Sequence, residues 1–123
     1  MNPPCNFVLL DDYAYYCPVE VLSFDEGIVL IRDAIAYATS IGTRRLLVNT
    51  IQLTGFGPPT TLHRFDMASQ WAYAARGLRL ALVAREEMID PGRFGITVAQ
   101  NRGLPTNVFT NEDEAIAWLL LTS

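Results

Sequence analysis

The chain contains no lysine, one histidine (His63) and two cysteines (Cys5 and Cys17) among 123 residues. Without lysine there is no Gly-x-x-x-x-Gly-Lys-Ser/Thr phosphate loop, and a Gly-x-Gly-x-x-Gly fingerprint is also absent, so Gly55 and Gly57 read as turn glycines. Positive charge is scarce as well. Nine basic against thirteen acidic side chains give a net charge of -4, and Arg44-Arg45 with Arg76 and Arg79 are too sparse for the basic stripe that nucleic acid requires. No apolar run approaches the ~20 residues that span a bilayer, which argues against membrane insertion. Met1-Asn-Pro-Pro-Cys5 lacks the basic and long apolar regions of a signal peptide, so a cytoplasmic location is expected. In a reducing compartment Cys5 and Cys17 are expected as free thiols, with a hairpin disulfide as the lesser alternative.

Catalytic and metal chemistry find little support. His63 has no partners at ligand spacing, so neither a metal nor another cofactor is expected; near a helix start it reads as a surface residue or a local cap. Cys17 lies in a strand, and Ser69 falls within a helix without the sharp turn that exposes a nucleophile. Asp11, Asp12, Glu86 and Glu87 belong to loops, while Glu112 and Asp113 occupy a first helical turn where the dipole already favours negative charge. No catalytic residue is assigned. An enzyme is not the favoured reading.

What is present is the patterning of one α/β domain over residues 1–123. Half the residues are apolar and 18% are charged, enough for a core without staples. Phe7–Asp11 and Tyr13–Val21 read as an N-terminal β-hairpin turned at Asp11-Asp12, with Pro18 marking an edge or bulge. Ser23-Phe-Asp-Glu26 is a capping box ahead of Ile28, Ile31, Ile35 and Ala38 at helical spacing, and Gly42 ends that helix. Leu46–Ile51 and Leu80–Ala84 are short apolar runs of the kind buried on both faces. Between them, Leu53–Pro59 reads as a loop. Thr60 or Thr61 then caps a second helix with an inner face of Leu62, Phe65, Ala68 and Ala72.

Asp90-Pro91 predicts a third helix running to about Arg102. Thr106–Phe109 reads as a last strand, and Thr110-Asn111 caps a fourth helix buried through Ala115, Ile116, Leu119 and Leu120. The order β-β-α-β-α-β-α-β-α implies a mostly parallel sheet with right-handed crossovers.

Ligands of open α/β sheets bind beyond the carboxyl ends of the strands. That edge should carry Thr54, Gly55 and the rest of the loop to Thr61, the segment from Arg85, and Thr110-Asn111. Arg64, about one turn into the second helix, and Arg85 could hold a phosphate or carboxylate there with helix N–H groups. Alternatively, they pair with Asp66, Glu86 or Glu87 on a solvated rim. Met67 and Trp71 fall toward a flank of the predicted inner face, which suggests a partner or homodimer surface as readily as simple packing.

Phe24–Ile41 as the first helix and Arg44–Phe56 as strand plus loop together resemble the STAS family, the fold of the anti-sigma-factor antagonists. Asn101-Arg-Gly-Leu104, Val108-Phe-Thr110 and Glu114–Leu119 add to that resemblance, which covers nearly the whole chain. It implies a non-enzymatic regulatory module that binds a protein partner, or itself as a homodimer. Family antagonists carry an Asp-Ser-Ser/Thr-Gly phosphoacceptor at the start of the helix after the central strand. Here the stretch is Gly57-Pro-Pro-Thr-Thr61, so Thr60 and Thr61 are the hydroxyls the resemblance points to, and Asn49 stands where family strands often carry aspartate. Phosphate there would add nearly two negative charges beside a positive dipole end. The alternative is a small anion- or metabolite-binding protein or enzyme built on the same loop.

Overall fold

The computed structural model describes residues 2–121, and in it the expected alternation becomes a five-stranded sheet in the order β1-β2-β4-β6-β7. These strands are β1 (Phe7–Leu9), β2 (Ala14–Tyr16), β4 (Arg45–Asn49), β6 (Arg79–Val83) and β7 (Thr106–Phe109). Only β1 runs antiparallel to its neighbour; β2, β4, β6 and β7 are parallel. A second, two-stranded sheet pairs β3 (Glu20–Val21) with β5 (Leu53–Thr54). The helices are α1 (Phe24–Ser40), α2 (Thr61–Ala74), α3 (Phe94–Asn101) and α4 (Glu112–Leu119), with a 3₁₀ turn at Glu86–Met88.

Strand order decides where the helices lie. Because the parallel strands follow one another in sequence order, crossovers of one hand place every connecting helix on the same face. Alternate strand residues Ala14, Tyr16, Leu46, Val48, Leu80 and Leu82 accordingly form one core with α1, α2 and α3. The intervening residues Leu47, Ala81 and Val83 pack against Ala115 and Leu119 of α4 on the other face. Both faces of β4 and β6 are therefore covered, which is why their sequences are apolar without alternation.

Local signals set most element ends. Ser23 and Glu26 form the capping box of α1 reciprocally, at 3.1 and 2.9 Å. Asn111 caps α4 by accepting from the Glu114 N–H at 2.9 Å.

Four expectations need correction. The run Tyr13–Val21 is not one strand: the chain leaves the main sheet after Tyr16, and Glu20–Val21 pairs instead with Leu53–Thr54. Pro18, lacking an N–H, lies between the two pieces. For the same reason Leu53–Pro59 is not wholly loop.

The third helix begins at Phe94 rather than at Pro91. Its cap residue is Arg93 and not Asp90, although the Asp90 carboxylate accepts from the first helical N–H, Phe94, at 2.9 Å and from Gly92 N–H at 3.3 Å. Finally, α2 is rotated from its predicted setting. Ala68 and Trp71 are its buried residues, whereas Leu62 is 75% and Phe65 42% exposed. A buried tryptophan removes far more apolar surface from water than Leu62 would, so the Trp71 side turns inward.

Candidate functional site

The carboxyl ends of β2, β4, β6 and β7 lead into the segments that precede α1, α2, α3 and α4. On the three-helix face, these segments and the helices line a cavity of about 120 Å³ that is partly open to solvent. Its walls are apolar and include Ile28 and Ile31 of α1, Phe56 of the loop, Met67 and Trp71 of α2, and Ile96 of α3. Arg64, Arg85, Asp90 and Arg93 are the charged residues in the lining, with the Thr50 hydroxyl beside them. The two arginines singled out from sequence thus meet at one cavity, 21 positions apart in the chain.

Their donors are differently engaged. Arg85 Nη1 donates to the Ile51 and Leu53 carbonyls at 2.9 and 3.4 Å, and its Nε pairs with Glu87 at 3.2 Å. This residue braces the loop and satisfies the rim-pairing alternative. Arg64 Nη2 donates to the Met88 carbonyl at 3.0 Å, and Arg64 forms no ion pair among the described residues. Asp66 is held by Gln70 instead. The Asp90 carboxyl lies below its usual range, chiefly through the Phe94 N–H it accepts.

The loop residues are placed by backbone needs. Thr54 pairs with Val21, and its carbonyl accepts the Leu22 N–H at 2.9 Å. Gly55 sits at φ +100°, and a Cβ there would stand 2.7 Å from the Leu22 carbonyl oxygen. Thr60 is the cap of α2: its hydroxyl accepts from His63 N–H at 3.1 Å, and His63 Nδ1 accepts from Thr60 N–H at 3.4 Å. His63 therefore acts as a local cap, taking the place glutamate holds in α1. Its ring lies 4.9 Å from that of Phe24, which in turn meets Phe56 at 5.5 Å, so the loop is stitched to α1. Thr61 is the exposed first residue of α2.

Trp71 is not a surface residue. It is 5% exposed, and its Nε1 donates to the Ile28 carbonyl at 3.0 Å across the α1–α2 contact. Met67, half-buried, lines the cavity beside it. The expected interface at these two positions is replaced by core packing.

The sequence reading missed a polar cluster on the α4 face. Tyr15 Oη and Asn49 Nδ2 both donate to Glu112 Oε2, the latter at 2.7 Å, and Asn49 Oδ1 accepts from Ile51 N–H at 3.0 Å. One carboxylate thus ties β2, β4 and the first turn of α4. Polar residues near the ends of two strands on the α4 face were the available signal, but the pairing of those strands is not written locally. Removing this carboxylate strands two donors. Glu112→Ala is expected to lower stability by about 2–3 kcal/mol, since hydrogen bonds to charged groups carry that weight. Urea unfolding of the variant measures it, and a loss below about 0.5 kcal/mol, the range of plain surface changes, would refute the tie.

Two phenols here hold their protons tightly. Burial first, then the hydrogen bonds to Glu112 and the Cys17 thiol, push Tyr15 well above the ordinary phenol range. Burial, aided by Glu20, pushes Tyr16 up to about 12 from an ordinary 10.0. A raised folded pKa means that the unfolded chain gives up its proton first. Stability is therefore intact below pH 10 and falls as pH rises toward 12. Urea unfolding across that window should show the decline. Tyr16→Phe should flatten part of it, and an unchanged slope would contradict the burial of this phenol.

Among the described residues no helix is long and apolar enough to cross a membrane. Among them, too, no three His, Cys, Asp or Glu side chains gather to hold a metal ion. What the fold and its carboxyl edge define is an α/β domain with an apolar cavity under a capped, hydroxyl-bearing helix start. Comparison with known protein families, curated proteins and solved structures finds no match.

Proposed function

We propose that the chain is a non-enzymatic interaction module of the STAS type, acting in the cytoplasm, whose working surface is the outer side of α2. The observation that carries this reading is the apolar character of that side. Leu62, Phe65 and Tyr73 are 75%, 42% and 84% exposed, and Leu62 directly follows the hydroxyls of Thr60 and Thr61. Exposed apolar side chains that recur along one helix mark a contact surface, whereas isolated ones need no explanation. The sequential strand order and the helix start at the carboxyl edge fit the STAS resemblance. The partner is a second protein, or a second copy of the chain.

Of the two hydroxyls, Thr61 suits modification better. Thr60 Oγ1 is committed to the helix cap, and a phosphate there would undo that bond. Phosphate on Thr61 would instead add charge beside Leu62 and repel an apolar partner.

The test is capture of partners from the source cell by wild type and by Leu62→Glu/Phe65→Glu, together with sedimentation of each protein alone. The double variant should keep its fold, being a surface change, and lose the stoichiometric partner or the dimer. A partner retained by the double variant would rule the surface out. The cavity favours a second reading, the binding of a small ligand.

A further inference from the structure

We propose that the cavity under α2 binds a small monocarboxylic acid, its apolar body of about five carbons among Ile28, Ile31, Met67 and Trp71 and its carboxylate on Arg64. This inference rests on the small-ligand reading and is independent of the contact surface on α2.

Size, lining and charge each narrow the ligand. An apolar cavity of roughly 150 Å³ stays dry and takes up benzene, and the space here is about 120 Å³. Its walls come from α1, α2, α3 and the loop, and the only charged lining residues are Arg64, Arg85, Arg93 and Asp90. Apolar walls with a few polar groups at one side are the usual form of a small-molecule site.

Charge then selects the head group. Three guanidinium groups face one lining carboxylate, and Glu87 answers Arg85. Asp90 accepts two backbone N–H groups and feels the Arg64 charge more weakly, without forming an ion pair with it. Arg93 donates to Asn107, and the donors of Arg85 go to two carbonyls and Glu87. Among the described residues Arg64 makes one side-chain hydrogen bond, from Nη2 to the Met88 carbonyl, and no ion pair. A guanidinium has five N–H donors in a fixed fork matched to carboxylate. The site therefore carries a surplus positive charge with unused donors next to an apolar hollow. A neutral ligand would leave that charge unanswered, and a polyanion would exceed it.

Trp71 lines the cavity while Trp118 packs on the opposite face against Phe109 and Arg79, so Trp118→Phe isolates the reporter. In that background, hexanoate, octanoate and 1-hexanol are titrated against Trp71 fluorescence, with calorimetry as a second readout. Saturable binding is expected, with hexanoate about tenfold or more tighter than the matched alcohol, as one charge-assisted bond implies. Arg64→Gln should erase the preference for the acid over the alcohol, and Arg64→Lys, a point charge without the guanidinium fork, should restore part of it. Equal affinity for acid and alcohol, or an acid preference that survives Arg64→Gln, would overturn the head-group assignment. No saturable response to any of the three would overturn the ligand site itself, and with it the small-ligand reading. Binding of the alcohol alone would leave small-ligand binding intact and sink only the carboxylate.

Discussion

Trp71→Ala loses about 3–5 kcal/mol of unfolding free energy, the range for deleting a buried tryptophan. Two separable contributions add to this. The indole body fills the α1–α2 seam at 5% exposure, and its removal opens a void beside a cavity that already exists. The Ile28 carbonyl, within α1, also accepts the buried Trp71 Nε1–H and ties the two helices together. Trp71→Phe keeps most of the body and loses the donor, so it should cost less, about 1–2 kcal/mol. Urea unfolding of both variants gives the numbers. A loss within about 0.5 kcal/mol for Trp71→Ala, typical of exposed positions, would mean that the tryptophan lies on a surface after all and that α2 is rotated the other way.

Gly55→Ala is the second large effect, expected at about 2–3 kcal/mol or more, because a left-handed setting and a backbone clash act together. The backbone is at φ +100°, and the new Cβ would lie 2.7 Å from Leu22 O and 3.0 Å from Leu22 N. Neither of those atoms can move without breaking the β3–β5 pairing, in which Leu22 N–H donates to Thr54 O. Gly57→Ala is the matched control. A Cβ at Gly57 meets nothing within 4 Å and the residue has no positive φ, so its replacement should be near neutral. Comparable costs at the two positions would show that the loop is pliable and that Gly55 is not held by Leu22. The same geometry explains why Gly55 is better understood as a joint between two short strands than as a phosphate cradle.

The elements that were legible in the sequence are those whose signals are local. Ser23 and Glu26 announce α1, and Ile28, Ile31, Ile35 and Ala38 are its buried face, as their spacing requires. The apolar runs of β4 and β6 show their double burial directly. The setting of α2 was not legible because that helix is apolar on two sides. Ala68 was expected inside and is buried, but Leu62 and Phe65 compete with Met67 and Trp71 for the rest of that face, and periodicity alone cannot choose between them. Likewise Tyr13–Val21 is strand-prone throughout, and nothing local says that its end will join a different sheet.

For the candidate site, Arg64 and Arg85 were placed at the correct edge by topology, and Thr60 by its capping chemistry. Their division of labour was not readable, since Arg85 is engaged by carbonyls of a loop more than 30 positions away. The tie from Tyr15 to Glu112 spans 97 positions and that from Asn49 spans 63. Such contacts exist only once the strands have paired.

The outer side of α2 is the proposed contact surface of this domain. Capture from the source cell with wild type, Leu62→Glu/Phe65→Glu and Trp71→Phe tests it most directly, with circular dichroism to show that each is folded. One stoichiometric partner, or a second copy of the chain, is expected to be bound by wild type and Trp71→Phe and lost from the double variant. Equal capture by all three would contradict that surface.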